Sequence, residues 1–220
     1  MDSDAVEKSV GYLEQSQQQH KKKTDKLSNI KELPASTEIK NSNITENSNL
    51  LKYNSNSFFP KILLIIDDVG GNLNTLNLFL KFNVNINFAV LPNQQYSDQS
   101  LYIIKQSNKN ALLHLPMEPV DSRWLSDKFP FILTAQSFEQ IKSIVWQLLD
   151  KYKTIDGINN HTGSKATADL ECMRNFMKTL VEYKNINNRN LFFVDSFTTP
   201  KSVAYNVALQ YGIPAFLNQG

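Results

Sequence analysis

Beyond Lys61 the chain takes on a rhythm in which short unbroken apolar runs alternate with stretches whose apolar residues recur every three or four positions. A run such as Ile62-Leu63-Leu64-Ile65-Ile66 has no polar alternation, as expected of a strand covered on both faces in a parallel sheet. The pattern predicts strands at 62–66, 86–91, 111–115, 157–159, 191–195 and 213–217. Between them, Leu73, Leu76 and Leu80 share one helical face, and Phe138, Ile141, Val145 and Leu148 share another behind a capping box from Ser137 to Gln140. Leu170, Met173, Met177 and Leu180 form a third stripe, and Val203, Val207 and Tyr211 a fourth that ends at Gly212. Strands alternating with helices imply right-handed βαβ units, so the predicted class is α/β with an open parallel sheet or a barrel. A longer connection at 116–133 interrupts the rhythm, and loops of that length are often functional.

Residues 1–57 follow neither period. Gln, Lys, Asn, Ser, Thr and Glu dominate there, and so little apolar surface cannot offset the entropy of ordering the chain. The expectation is a disordered polar tail at 1–57 ahead of one domain at 58–220; 220 residues leave no room for two full catalytic domains. A net charge of +2, with acidic and basic residues nearly balanced, offers no face for nucleic acid or an anionic membrane. The run Lys21-Lys22-Lys23 beside His20 reads as solvated. The start of the chain is too polar for a secretory leader, and no stretch approaches the roughly 20 apolar residues of a membrane helix. Cys172 is the one cysteine, which excludes an intrachain disulfide and a multi-cysteine zinc site. Set among apolar residues at helical spacing, it reads as a small buried hydrophobe.

In parallel α/β folds the chemistry gathers at the carboxyl ends of the strands. The first predicted strand ends in Asp67-Asp68, the third in His114, the fourth in Asn159-Asn160-His161 and the fifth in Asp195-Ser196. Only His114 and His161 of the three histidines fall in the patterned region, and both lie at strand ends of the same edge. Two imidazoles and a carboxylate make a facial set that leaves metal positions open for water and substrate. Adjacent carboxylates repel, and a cation removes that penalty: one Asp can ligate while its neighbour takes a proton from water. The plainer alternative is that Asp67-Asp68 ahead of Gly70-Gly71 is a turn with a helix cap.

Five segments carry a family likeness. Ile65-Ile66-Asp67-Asp68-Val69-Gly70, Phe88-Ala89-Val90-Leu91-Pro92, Leu113-His114-Leu115-Pro116-Met117-Glu118-Pro119, Asn159-Asn160-His161-Thr162-Gly163-Ser164 and Phe193-Val194-Asp195-Ser196-Phe197-Thr198-Thr199 resemble the signature blocks of the divergent polysaccharide deacetylase family. In family order they cover about 61–216. The resemblance implies an irregular (β/α) barrel within the superfamily of metal-dependent carbohydrate esterases. It implies Asp67 as base, Asp68 as metal carboxylate, and His114 and His161 as imidazole ligands. Two departures stand out. The well-studied branch carries both histidines in one short motif, whereas here they sit on separate strands. Relatives also continue past the last strand with an acidic, arginine-containing segment, so a barrel truncated at its C-terminus is expected.

The mechanism expected from this likeness is hydrolysis of an N-acetyl amide on a polysaccharide or oligosaccharide. The cofactor is a divalent metal, zinc by ligand type, held by Asp68, His114 and His161 while Asp67 takes the proton. Asp195 and Glu118 are the two candidates for the acid that protonates the leaving amine, and Glu118 is equally a candidate to orient a histidine ligand. The alternatives are a non-catalytic glycan- or envelope-binding protein that keeps the fold, and a metal hydrolase of another substrate. The family likeness points to a periplasmic or extracytoplasmic setting.

Overall fold

A computed structural model describes residues 62–218, so the tail expected at 1–57 lies outside the described residues. Six strands, β1 (Leu64–Val69), β2 (Ile86–Val90), β3 (Asn110–Met117), β4 (Gly157–Thr162), β5 (Phe192–Asp195) and β6 (Ala215–Leu217), make one sheet. The helices between them are α1 (Leu73–Leu80), α2 (Ser97–Gln106), α3 (Phe138–Lys151), α4 (Leu170–Asn187) and α5 (Ala204–Gln210). Every neighbouring pair is parallel, and the strands lie in sequence order. That order has a consequence. Right-handed crossovers that always step the same way put all their helices on one face, as in a barrel, whereas a doubly wound sheet reverses direction part-way. β1 and β6 do not pair, so among the described residues the sheet stays unclosed.

The two faces are chemically unlike. Ile66, Phe88, Leu113, Leu115, Ile158 and Phe193 point toward the helices and pack with Ile141, Val145, Leu149, Phe176, Met177 and Val207 in the main core. The alternate residues of the same strands, Ile65, Ala89, Leu112, Phe192 and Val194, form a small separate cluster on the opposite face. A strand's period of two sorts these sets, and it also decides which polar residues at the strand ends join the second face.

The helix stripes at 73–80, 138–148 and 170–180 lie within α1, α3 and α4, and Val203 and Tyr211 flank α5. The capping box is present: Ser137 Oγ accepts from Gln140 N at 3.3 Å, and Gln140 Oε1 accepts from Ser137 N at 2.8 Å. The hydrophobic pattern does not predict α2. Its buried face consists of Ser97, Ser100, Leu101 and Ile104, and the two serines interrupt the apolar period. Strand limits differ both ways: β2 ends one residue early at Val90 and β6 begins two late at Ala215, while three strands extend. β1, β3 and β4 run past their predicted ends, through Asp67-Asp68-Val69, Pro116-Met117 and Asn160-His161-Thr162; the extensions of β3 and β4 pair with each other, whereas Asp67 and Asp68 fall within a register shift of β1. At the other end of β1, Ile62 and Leu63 are exposed and precede the strand.

Candidate metal centre

Asp67, His114, Asn159 and His161 belong to the face away from the helices. His114 pairs in register with Asn159, and Pro116 with His161, so β3 and β4 present His114, Asn159 and His161 side by side. β1 lies farther off. On a flat sheet three strand spacings would separate β1 from β4 by about 14 Å. Yet Asn159 Nδ2 lies 3.0 Å from Asp67 Oδ1, so the sheet curls strongly toward this face. That curvature is what a barrel-like arrangement of consecutive strands produces.

Asp68 should point to the helix side by strict alternation. It does not, because the β1–β2 register shifts between Ile66 and Val69 and Asp68 takes a left-handed backbone at φ 59°. A bulge of this kind re-aims one side chain, and Asp tolerates the left-handed region better than most residues. Asp68 Oδ1 thereby comes to 3.3 Å from His114 Nε2 and 3.0 Å from His161 Nδ1. His161 Nδ1 and His114 Nε2 are themselves 3.2 Å apart. With no cation between them, hydrogen bonds from His114 Nε2 first, then His161 Nδ1, hold the Asp68 carboxyl well below the ordinary carboxylate range; a bound cation would take the place of those hydrogens.

The three atoms form a nearly equilateral triangle. Ligand atoms about 2.0–2.1 Å from a zinc ion at tetrahedral angles stand about 3.3 Å apart, so the spacing of these three atoms suits a small divalent cation. Two nitrogens and a carboxylate oxygen are also the donor set that zinc accepts. The set spans environments from the buried His114 to the exposed Asp68, so one side of the triangle faces solvent.

Asp67 stands next to the triangle. Its Oδ1 accepts from Asn159 and lies 3.9 Å from His114 Nδ1, while its other oxygen takes no protein hydrogen bond among the described residues. Asn159, only 1% exposed, also places its Oδ1 2.9 Å from His114 Nδ1.

Glu118 and Asp195 sit elsewhere. Asp195 faces the helix side with Phe193 and is fully buried; it accepts from Phe197 N, Ser202 Oγ and Tyr205 N, which fixes the loop after β5. Ser196, one residue on, reaches the site instead and accepts from Asn159 Nδ2 at 3.4 Å. Glu118 receives Thr134 N, Thr134 Oγ1 and Lys165 Nζ, tying both ends of the long 118–133 loop to the segment after β4. Backbone bonds between Glu118 and Ile132 and between Ile132 and Pro116 close that loop at its base. Its Phe129 ring lies 6.1 Å from the His161 ring, so the loop forms one lip of the site.

A family model described as divergent polysaccharide deacetylase matches residues 64–219. The chain belongs to that family. Among curated proteins, an uncharacterised protein of Haemophilus influenzae is 32% identical over 73% of this chain and 55% of its own length. The uncharacterised protein YibQ of Escherichia coli is 30% identical over 74% of this chain and 49% of its own length. The chain thus spans about half the length of the curated relatives it matches. A solved structure of an uncharacterised Agrobacterium tumefaciens protein superposes with a TM-score of 0.62 at 13% identity, covering 71% of this chain and 62% of that one, a likeness of fold.

The five sequence blocks of the divergent polysaccharide deacetylase family all lie within β1, β2, β3, β4 and β5 or directly after them. The fourth block contains Asn159 but does not reveal what it does. Its signal was available only as a position two residues before His161, hence on the same strand face, and it gains meaning only once the β3–β4 register sets it against His114.

Proposed function

We propose that this family member is a metal-dependent amide hydrolase that removes acetyl groups from N-acetylated amino sugars of a polysaccharide or oligosaccharide. The observation that carries the proposal is the Asp68–His114–His161 triangle, open on one side, with the Asp67 oxygen that takes no hydrogen bond among the described residues beside it. Asp68 Oδ1, His114 Nε2 and His161 Nδ1 would hold the cation, zinc by ligand type. The chemistry supplied there when the cation is bound is Lewis acidity, which makes water nucleophilic near neutral pH.

Asp67 takes the proton from the attacking water at the oxygen that makes no protein hydrogen bond, and Asn159 keeps its other oxygen turned inward. The same carboxyl then hands the proton to the departing nitrogen, so that amide and water become amine and acetate. Glu118 and Asp195 contribute by holding loops, since their oxygens already accept bonds from Thr134, Lys165, Phe197, Ser202 and Tyr205. Phe129 offers an apolar edge against which a sugar ring can rest.

Acetate release from N-acetylglucosamine oligomers by the zinc-loaded protein tests this. The expected result is turnover that a chelator abolishes and zinc restores, with Asp67→Asn losing about 10²–10⁴-fold in kcat. Stoichiometric zinc without acetate release from any N-acetylated glycan would instead favour a glycan-binding protein that keeps the metal.

A further inference from the structure

We infer that Asn159 is a positioning residue that sets the tautomer of one metal-ligand histidine and the orientation of the base through a single side-chain amide. The inference rests on the metal-hydrolase proposal and gives a role to a residue that lies in the fourth family block but outside the metal cluster.

Asn159 is almost wholly buried, lies opposite His114 in the β3–β4 register, and touches both Asp67 and His114. An amide has one accepting end and one donating end, whereas an ionised carboxylate can only accept. The NH2 must therefore face Asp67, and the carbonyl oxygen must face His114. Turning the amide over would set its oxygen against the Asp67 carboxylate. When a cation takes the place of the hydrogen between Nε2 and Asp68, an oxygen facing Nδ1 keeps the hydrogen of His114 on Nδ1 and the lone pair on Nε2, the atom in the triangle. Buried partners that orient a ligand's second nitrogen commonly govern metal affinity. Here the same side chain also restrains the base. The chain of constraint runs from Asp67 to Asn159 to His114, so the two functions of the site are mechanically joined. Ser196, at 3.4 Å from the same NH2, steadies it from β5.

Two substitutions separate the roles. Asn159→Asp can still accept from His114 Nδ1 but cannot donate to Asp67, and it adds a repelling charge beside the base. Zinc affinity, measured by competition with a chromogenic chelator, should stay within about threefold of wild type or tighten, while kcat falls at least about 100-fold. Asn159→Leu, similar in size, loses both bonds, and zinc affinity should fall by about 10–100-fold. Nitrogen-15 NMR of the proteins in excess zinc reads directly which ring nitrogen of His114 carries its proton. His114 should carry its proton on Nδ1 in wild type and in Asn159→Asp, and lose that preference in Asn159→Leu. An Nε2–H tautomer in wild type overturns the inference, as does equal zinc affinity and kcat in all three proteins with only the melting temperature changed. Wild-type protein that binds no zinc but shows the Nδ1–H tautomer defeats the metal proposal and leaves the positioning role standing.

Discussion

Cys172 is 3% exposed at the start of α4, and burial pushes its thiol up to about 12. The nucleophile in alkylation is the thiolate, so the folded protein should be inert to iodoacetamide at neutral pH and react only on unfolding. Fast alkylation of native protein would contradict this placement. The aspartates behave differently from one another although they are neighbours, because the left-handed turn at Asp68 splits their directions. Asp67, Asp68, His114 and His161 were all legible in the sequence as polar residues at predicted strand ends, and the fold brings them together. The part played by Asn159 was not, since an amide acquires a role only through what faces its two ends. Asp195 has a residue type that suits the chemistry, and the strand period turns it to the helix side, where it accepts from Phe197, Ser202 and Tyr205.

Among the elements, the 118–133 loop depends on Glu118. Burial alone would raise this carboxyl, but the bonds from Lys165 and Thr134 outweigh it and hold the group below its usual 4.5. A folded value below the unfolded one gives stability that is fully present above the unfolded value and is lost as pH falls through the folded one. Glu118→Gln should therefore lower stability by about 1–2 kcal/mol at neutral pH. In urea melts followed from neutral to acid pH, the gap between variant and wild type should narrow below about pH 4; a gap that holds constant across that range would mean the ion pair contributes nothing. The predicted helices α1, α3, α4 and α5 were legible because their apolar residues keep a helical period, and α3 announces its start with Ser137 and Gln140. The α2 helix was hidden because serines occupy half of its buried face.

At the scale of the molecule, one arrangement explains both core and site. Consecutive strand order places every helix on one face, and the curl of the sheet brings β1 within side-chain reach of β4 on the other. The α/β class followed from alternating periods, and the barrel-like form from the family likeness; strand order and curvature are properties of pairing that no single segment encodes. The central claim is that the carboxyl ends of β1, β3 and β4 build one cation site from Asp68, His114 and His161. Its most direct test is zinc content after equilibration at neutral pH and removal of free metal, by native mass spectrometry. One zinc per chain is expected in wild type and in Asp67→Asn, and none in His114→Ala or His161→Ala, since two remaining protein ligands rarely hold the ion. Wild-type protein that retains no divalent ion, or a His114→Ala variant that retains zinc as well as wild type does, would contradict it.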